Sequence, residues 1–501
     1  MGTAVYRSFI GLEVHIQLLT EAKVFCGCRS AFGEEPNTNI CPVCMGYPGA
    51  LPRLNVEALR MGCTVARALN CRISETTWFD RKQYFYPDMP KNYQITQFAS
   101  PLGRDGFMDI EGKGASGVSF NKRVRIKECH LEEDSGKMIH SGTVSLLDYN
   151  RAGTPLLEIV TEPDMEIGEE AEVFIRRLRR VVRYLGVCDG NMEEGSLRVD
   201  ANVSINYPGR GLGKKVELKN LNSSRFVRLG LNYEIARQGA ALDAGKGLAQ
   251  ETRLWNDKRG ETQVMRSKED ANDYRYFPEP DLPVFFLDRD FLLSVEQRSA
   301  MELPAEREKR FREVYGLGAE QADLLCEEKE DADYFEAAVA AALRLEHNAV
   351  PGDIAARIAN FLLTDIRHIL SEAGPSPSHP GFALDPGRLA SLALMTEQGK
   401  VSLKNARQAL ELAVSENRDP EIIIRERGWE LITDPAAIAT AVSAVYAAET
   451  SIFAEAAACA ANPKRRGTLS AYLVGKVLAA TNGRADPRIA GKQIAEIIDR
   501  L

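Results

Sequence analysis

The sequence predicts an α+β protein: a large β-rich N-terminal domain with a zinc-ribbon-like loop, then an all-helical domain and a helical tail. Three observations support this fold class. Strand-like runs separated by turn residues dominate roughly the first 295 residues. Four cysteines in two close pairs lie within this part. Beyond it, Ala, Glu, Leu and Arg recur at helical spacing.

The domain division follows these changes in composition. We place a β-rich domain at 1–295, a helical domain at 296–404 and a helical tail at 405–501. A chain of 501 residues with 44% hydrophobic residues is long and apolar enough for several packed cores. The net charge is −8, yet residues 462–501 carry a net charge of +5. This tail is therefore the best candidate for a polyanion-binding surface, with a solvated helical face as the alternative.

Composition also excludes several classes of protein. No stretch approaches the ~20 apolar residues that span a bilayer, and no leader pattern is evident, so we expect a cytoplasmic protein without a membrane. Ten cysteines are too few for a disulfide scaffold in a chain of this length. The phosphate-binding P-loop, the dinucleotide-binding glycine pattern and the serine nucleophile elbow are all missing from the sequence.

The first element is the strand FIGLEVHIQL, in which Glu13 and His15 alternate with apolar residues. Two residues apart on a strand, they share one face. A carboxylate beside an imidazole is a candidate metal or catalytic pair, whereas a strand with a polar side is the simpler interpretation.

The next element is a loop with the spacing C-x-C-x12-C-x2-C. Its cysteines are Cys26, Cys28, Cys41 and Cys44. Two close pairs joined by a loop of Gly, Pro and Asn are typical of a tetrahedral zinc ribbon, and four thiolates make a closed, structural site. Unmetallated thiols or an iron site are the alternatives.

A helix is predicted at 55–70, after an Asn cap, and an irregular segment follows it at 76–98. That segment interleaves Arg81 and Lys82 with Trp, Phe and Tyr, and its two prolines prevent a helix. Basic groups and aromatic faces suit a nucleotide or an RNA end. An aromatic core segment with exposed charges explains the pattern as well.

Residues 106–160 are predicted to be β-structure, and they include the acidic run HLEEDSGK. If the run is extended, His130, Glu132 and Asp134 share one face and Glu133 lies on the other. If it turns, all four converge. Adjacent carboxylates repel one another unless a cation lies among them, so Mg²⁺ is one hypothesis and a solvated acidic turn the other.

The remaining elements alternate between helix and strand. Helices are predicted at about 167–185 and 225–242, with two strand-like runs between them. Those runs add further acids to the same region: Glu193, Glu194, Asp200 and Glu217. The extended stretch DYRYFPEPDLPVFF closes the domain, and the helical region beyond is broken at GLGAEQ and GPSPSHP.

Taken in order, these segments resemble the B subunit of the bacterial tRNA-dependent amidotransferase, the GatB family. The resemblance rests on FIGLEVHIQL, the cysteine loop, FDRKQYFYPDMPKNYQI, HLEEDSGK, DYNRAGTPLLEIVTEPD, DGNMEEGSLRVDANVSI, ELKNLNS and DYRYFPEPDLP. It covers the whole chain, with looser matches after residue 295 at KVSLKNA and GTLSAYLVGKVLAATNGRADP. The chain departs from the family pattern at Glu128, Cys129 and Ser224, and none of these is one of the acids discussed above.

The resemblance implies an ATP-dependent ligase. In this family Glu on the tRNA for Gln, or Asp on the tRNA for Asn, is phosphorylated on its side chain by ATP. Ammonia then displaces phosphate, and it comes from glutamine hydrolysed by a separate amidase (A) subunit. A small C subunit completes a heterotrimer, and the non-discriminating aminoacyl-tRNA synthetase is a further suggested partner. The implied cofactors are ATP as substrate, Mg²⁺ and structural Zn²⁺; which misacylated tRNA is used stays open.

The resemblance also assigns roles to residues. The first candidates for catalysis and Mg²⁺ binding are Glu13, His15, Glu132 and Glu133. Candidates for an ammonia path or for support of the metal are His130, Glu193, Glu194, Asp200 and Glu217. Those for the nucleotide or the tRNA 3′ end are Arg81, Lys82, Asn150 and Arg151. Those for the tRNA body are Lys464, Arg465 and Arg466.

Two other functions remain open at this point. A zinc-ribbon RNA-binding protein without catalysis would use the acids only structurally. A stand-alone metal-dependent ligase for a small carboxylic acid would turn over ATP without tRNA, but the basic tail and the aromatic segment argue against it.

Overall fold

The computed structural model describes residues 6–267, 274–373, 382–460, 462–481 and 483–501. The chain divides into two compact units, Met1–Pro304 and Ala305–Leu501. The predicted helix break GPSPSHP and the first residue of DYRYFPEPDLPVFF lie outside the described residues. The architecture confirms the α+β class, because the first unit is built on a large sheet and the second is mostly helical.

A mixed, mostly antiparallel sheet of twelve strands forms the framework of the first unit. The strands of the unit are β1 (Arg7–Gln17), β2 (Arg72–Ile73), β3 (Thr76–Thr77), β4 (Asp80–Gln83), β5 (Tyr93–Thr96), β6 (Gly103–Lys113), β7 (Ser119–Glu133), β8 (Lys137–Ser141), β9 (Val144–Asp148), β10 (Pro155–Thr161), β11 (Leu197–Asn206), β12 (Val216–Lys219), β13 (Glu251–Asn256), β14 (Glu261–Ser267), β15 (Phe277–Pro278) and β16 (Phe285–Phe286). The main order is β14-β13-β12-β11-β1-β10-β7-β5-β4-β15, with β6 and β2 continuing from β7. Two small sheets, β16-β3 and β8-β9, stand apart from it.

Strand β1 lies in the middle of the sheet, between β10 and β11. Its alternation sends Ile10, Leu12, Val14 and Ile16 to one face, where they are fully buried in the core of the unit. Its polar residues therefore lie on the opposite face, as the alternation predicts. The sheet thus has an apolar side and a polar side.

Helices cover the apolar side. They are α1 (Val56–Ala68), α2 (Gly168–Tyr184), α3 (Ser224–Asp243) and α4 (Arg289–Ser299). The first begins where the Asn55 side chain accepts a hydrogen bond from the Glu57 N–H, the capping that the sequence predicts. Helix α2 carries two acids in its first turn and an arginine in its last, which complements the helix dipole. The three helices predicted in this region are confirmed within two residues at each end.

The second unit contains helices and two hydrophobic cores. Its helices are α5 (Pro304–Tyr315), α6 (Ala319–Leu325), α7 (Lys329–Leu345), α8 (Pro351–Asn360), α9 (Arg367–Ala373), α10 (Pro386–Glu397), α11 (Leu403–Glu416), α12 (Pro420–Glu426), α13 (Pro435–Ala448), α14 (Thr450–Ala458), α15 (Pro463–Ala480) and α16 (Pro487–Arg500). A π-helical stretch, Phe361–Ile366, joins α8 to α9.

The two cores divide the second unit near residue 430. The first contains buried residues up to Ile424, and the second is built from residues between Ile438 and Ile498. Helix α11 packs in the first core, so the division at 404 that the sequence predicts falls at the start of a helix that belongs with the preceding ones. Among the described residues no single helix is long and apolar enough to cross a bilayer, although the bent pair α13 and α14 meets that test when joined.

Candidate functional site

The polar side of the sheet presents a row of titratable side chains across three strands. His15 of β1 lies directly opposite Glu158 of β10, and Glu158 lies opposite His130 of β7. Opposed residues of antiparallel strands share a face, and Glu132 follows His130 on that face two residues later. Segments that are more than a hundred residues apart in sequence are thus brought together by strand register.

Short distances join these four side chains. His15 Nε2 lies 3.4 Å from Glu132 Oε1 and 3.6 Å from Glu158 Oε2. His130 Nε2 lies 2.7 Å from Glu158 Oε2 and 3.9 Å from Glu132 Oε2. Glu132 is almost fully buried, with a side chain only 4% exposed. We call His15, Glu132 and Glu158 the first cluster; one ligand atom from each lies within 4.8 Å of the others.

The histidines and carboxylates of this cluster shift one another's pKa values. Burial alone would lower the pKa of His15, but hydrogen bonds to Glu132 and Glu158 outweigh it and raise the pKa to about 10. Burial would raise the pKa of Glu158, but the neighbouring imidazoles of His130 and His15 hold it well below its usual range. The carboxylates of the cluster thus attract positive charge, whether from a proton or from a cation.

The first cluster fits a hard divalent cation. Mg²⁺ takes ligands at about 2.1 Å in octahedral geometry, so neighbouring ligand atoms lie roughly 3 Å apart. The separations of 3.4 and 3.6 Å from His15 to the two carboxylates exceed this by only a few tenths of an ångström. His130 holds Glu158 from the side, as a supporting residue behind a metal ligand does.

A second group of acids adjoins the first on the same face of β1. Glu13, Asp200 and Glu217 also place one oxygen each within 4.8 Å of one another. Lys219 Nζ lies 2.5 Å from Asp200 and 3.0 Å from Glu217, so an ammonium already supplies positive charge there. Burial would lower the pKa of Lys219, but these two acids raise it to about 12.

Glu13 is the least compensated acid of this second cluster. Its pKa is raised by burial and by the charge of Glu158, while Asn202 Nδ2 donates a hydrogen bond to Oε1 at 2.8 Å. Glu13 and His15 are two positions apart, about 7 Å along β1. Glu13 and His15 therefore belong to neighbouring clusters, and the structure does not bring them into one ligand set.

Glu133 is not part of either cluster. Because the run HLEED continues β7 as an extended strand, Glu133 points away from Glu132. Its carboxylate pairs with Lys91 and accepts a hydrogen bond from the Ile95 N–H at 2.8 Å. Asp134, just past the strand, is held by Arg198 at 2.8 Å. The four acidic and imidazole groups of this run therefore do not converge, and the extended alternative is confirmed.

The basic residues of the aromatic segment lie in different surroundings. Arg81 pairs with the buried Glu279 at 2.7 Å and with Asp281 at 2.9 Å, so its guanidinium is already neutralised. Lys82 faces the first cluster. Burial would lower its pKa, but the charge of Glu132 and other nearby groups raises it above its usual value. Of the two basic residues Arg81 and Lys82, Lys82 is thus the one available to the first cluster.

Asn150 and Arg151 lie in the loop after β9, and both bind backbone. Asn150 Oδ1 accepts from the Asn39 N–H at 2.8 Å, and its Nδ2 donates to the Glu35 carbonyl at 2.7 Å. Arg151 Nε donates to the Ser135 carbonyl at 3.0 Å. The loop therefore connects the cysteine loop to the end of β7, just beyond Glu132.

The other predicted residues lie at exposed positions. Glu193 and Glu194 are on an exposed turn whose N–H groups bind Asn191 Oδ1, and neither belongs to a metal-like cluster among the described residues.

The basic residues of the tail, Lys464, Arg465 and Arg466, lie at the start of α15. There Arg465 pairs with Glu455 and Arg466 with Asp499.

The four cysteines of the loop converge as their spacing predicts. Their ligand atoms all lie within 4.8 Å of one another, and Cys41 and Cys44 have their Sγ atoms 3.9 Å apart. Tetrahedral Zn²⁺ with bonds of about 2.3 Å places sulfurs roughly 3.8 Å apart, so these thiols fit zinc. Hydrogen bonding from Cys26 and the nearby charge of Lys23 lower the pKa of Cys44 to about 5, which favours the thiolate that a metal needs.

Three functional candidates were missed by the sequence analysis. Glu158 lies within the apolar strand PLLEIVT, where one acid among buried residues was the available signal. Lys219 lies among the acids of the second cluster. Lys23, although fully buried, donates to the Asn39 and Tyr149 carbonyls at 2.8 and 3.2 Å and lies 3.8 Å from Cys44 Sγ.

Family models match both parts of the chain, and the first of them describes a catalytic domain. A family model described as the GatB/GatE catalytic domain matches residues 8–293, and a model described as the GatB domain matches residues 333–498. The matched catalytic region contains both acidic clusters and all four cysteines of the loop.

Relatives match along almost the whole chain. A protein of Thermodesulfovibrio yellowstonii is 41% identical over 98% of this chain and 99% of its own length. One of Crocosphaera subtropica is 43% identical over 98% and 97%, and one of Gloeobacter violaceus 44% identical over 97% and 85%. All three are named as the B subunit of aspartyl/glutamyl-tRNA(Asn/Gln) amidotransferase. The chain therefore belongs to the GatB family.

Proposed function

We propose that this chain is the ligase subunit that converts Glu on the tRNA for Gln, or Asp on the tRNA for Asn, into the amide. The observation that carries the proposal is the convergence of His15, Glu132 and Glu158 from three strands of one sheet. Buried carboxylates that converge on one position suit phosphoryl transfer, which depends on positioning and charge neutralisation.

The residues in and around the first cluster would have separate roles in phosphoryl transfer. His15, Glu132 and Glu158 would hold Mg²⁺, which supplies charge neutralisation for the transferred phosphoryl group. Lys82 faces the same carboxylates and would offer its ammonium to the phosphate oxygens. His130 would orient Glu158 through the contact of 2.7 Å. The resulting acyl phosphate is the activated form of the substrate carboxylate that ammonia attacks, releasing phosphate.

The second cluster would bind ammonium and release ammonia for the reaction. Glu13, Asp200 and Glu217 lie on the same face as the first cluster, and Asp200 and Glu217 pair with Lys219. Carboxylates can hold ammonium by hydrogen bonds and accept its proton, which leaves neutral ammonia as the nucleophile. We place this step beside the first cluster because Glu13 and His15 are only two positions apart on β1.

The partners are inferred from the names of the relatives, which describe one subunit of an amidotransferase. We propose a cytoplasmic heterotrimer with an amidase (A) subunit that hydrolyses glutamine and a small C subunit. Misacylated tRNA would be the substrate, and the non-discriminating aminoacyl-tRNA synthetase would be a further partner. Zinc at the four cysteines would be structural, because four protein ligands leave no open position.

The test is an assay of the purified heterotrimer on Glu-tRNA(Gln) and Asp-tRNA(Asn). We expect amide formation that requires ATP and Mg²⁺, with either glutamine or free ammonia as the nitrogen source. Retained activity with ammonia when the amidase nucleophile is blocked would locate the ligase chemistry in this chain. Binding of tRNA without ATP consumption would instead favour a non-catalytic zinc-ribbon RNA-binding protein.

The basic start of α15 supports a second expectation, about tRNA binding. Reversing the charges of Lys464, Arg465 and Arg466 to Glu should weaken binding of tRNA and reduce the slope of log affinity on log salt by about 1 to 2. The change is smaller than three full contacts because Arg465 and Arg466 already have acidic partners. Filter binding of the complex at several salt concentrations measures it.

A matched control triple is available in the same unit. Arg418 and Arg425 are paired with acids on and beside α12, and Arg427 follows that helix. Reversal of these three charges changes net charge equally and should leave the salt slope nearer the wild-type value. Equal slopes for the wild type and the α15 variant would contradict the assignment.

A further inference from the structure

An aromatic pair lies beside the first cluster and takes no part in the chemistry described so far. The rings of Phe98 and Tyr276 stack with centroids 4.1 Å apart and an interplanar angle of 11°. Phe98 remains 59% exposed, so the pair does not bury it in a core. One face of the Phe98 ring is covered by Tyr276, and the ring is otherwise largely open to solvent.

The position of Phe98 is set by the end of β5 and by hydrogen bonds to the backbone that follows it. Thr96 pairs with Glu132 across β5 and β7, and its Oγ1 lies 3.4 Å from Glu132 Oε2. Phe98 follows Thr96 by two residues, at a bend just past the end of β5. The buried Asp80 carboxylate accepts from the N–H groups of Phe98 and Ala99 at 3.0 and 2.9 Å, which holds this backbone in place.

Tyr276 is tied to the same site from the other side. It packs against Tyr274 with ring centroids 6.1 Å apart, and Lys82 Nζ lies 4.8 Å from the centre of the Tyr274 ring. Lys82 in turn lies on the same face of the sheet as Glu132, because Asp80, two positions before it on β4, pairs with Thr96, which pairs with Glu132. The aromatic pair is thus linked to the cluster through two independent sets of contacts.

A rigid, exposed ring beside a phosphate-handling site is the arrangement that binds a nucleobase by stacking. Glu279 and Asp281 neutralise Arg81 on β4, whereas Lys82 of the same strand contacts the Tyr274 ring and would be available to phosphates.

We infer that the Phe98–Tyr276 pair is a stacking platform for an adenine ring whose phosphate or acyl end reaches the first cluster. The inference rests on the proposed function, in which adenine enters from two sources. One is ATP, and the other is the terminal adenosine of the misacylated tRNA. The shared chemistry is a flat purine ring bound by stacking, without base-pairing contacts.

The experiment compares Phe98→Ala, Phe98→Trp and the control Phe286→Ala in the heterotrimer. Phe286 is 77% exposed in a different small sheet, so its removal matches the loss of an exposed ring. Amide formation with free ammonia gives KM for MgATP and for misacylated tRNA. Calorimetry compares binding of MgATP with binding of magnesium tripolyphosphate, which has no base.

Loss of the ring should raise one KM on the order of tenfold, and Trp should restore it. A raised KM for MgATP, with weaker MgATP but unchanged tripolyphosphate binding, identifies the ATP base. A raised KM for tRNA alone identifies the terminal adenosine. Two unchanged KM values in a complex that still makes amide would overturn the platform and leave the proposed function standing. If the wild-type complex makes no amide, the proposed function fails, and binding alone then tests the platform. An equal effect of Phe98→Ala on binding of MgATP and magnesium tripolyphosphate overturns it, as does unchanged binding of both MgATP and misacylated tRNA.

Discussion

Replacing Glu132 by Gln is expected to reduce ATP-dependent amide formation by about 10³-fold or more, with little effect on tRNA binding. The side chain is buried and lies 3.4 Å from both His15 Nε2 and Thr96 Oγ1. Gln keeps the shape but removes the charge that would hold Mg²⁺ and oppose Lys82. A loss of about 4 kcal/mol of transition-state stabilisation corresponds to that factor. Single-turnover amidation with free ammonia measures it directly.

The matched control is Glu128→Gln. Glu128 lies on the same strand and the same face as Glu132 but outside the first cluster, so amidation should stay within a fewfold of the wild type. Glu158→Gln should resemble Glu132→Gln, since both residues supply a carboxylate to one cluster. Near-normal amidation by both cluster variants would remove the metal assignment.

Glu13 offers a further contrast with Glu132. Because Glu13 belongs to the cluster around Lys219, Glu13→Gln should impair transfer of ammonia more than phosphorylation of the substrate. Formation of ADP without amide would be its signature. Loss of both ADP and amide would indicate that Glu13 supports the metal instead.

Replacing Cys41 by Ser is expected to remove one zinc per chain and to lower the melting temperature by on the order of 5 to 10 °C. The cysteine loop is joined to the loop after β9 by Asn37, Asn39 and Asn150. Its release therefore loosens the backbone that follows Glu132. Metal analysis and calorimetry of the purified complex measure the two effects.

Cys459→Ser provides the control for the zinc prediction. This cysteine is partly exposed on the C-terminal side of α14 and lies outside the cluster of four. Its replacement should leave both the zinc content and the melting temperature close to wild type. Wild-type protein purified without chelators and containing no zinc would contradict the assignment, as would a Cys41→Ser variant with full zinc and unchanged melting.

Local patterns in the sequence predict much of this structure. The cysteine pairs are close in sequence, so their convergence needs only one loop to fold back. The alternation of FIGLEVHIQL correctly places Glu13 and His15 on one face, and the capping signals locate the first helices. These features depend on neighbours within a few turns or strand residues.

Local sequence patterns could not predict which residues form the two acidic clusters. Glu158 joins His15 and Glu132 only because β10 pairs between β1 and β7 in one particular register. Shifting that register by one residue would turn Glu158 into the core. Arg81 is neutralised by Glu279, which lies almost 200 residues later in the chain. The sequence around Arg81 does not predict that pairing.

Glu133 illustrates the opposite error. Its closeness to Glu132 in sequence suggests a shared role, but strand alternation separates neighbours onto opposite faces. The pairing of Glu133 with Lys91 then uses its charge within the fold. In a β-rich site, adjacency along the chain is therefore weaker evidence of a shared function than a spacing of two.

The central place of β1 has a consequence for biosynthesis. This strand leaves the ribosome well before its two neighbours, β10 and β11, which end at Thr161 and Asn206. At ~5–20 residues per second, the strand waits roughly 10 to 40 seconds for its second partner. During that interval at least one edge of the strand is unpaired, so we expect the nascent chain to need chaperone cover until residue 206 has emerged.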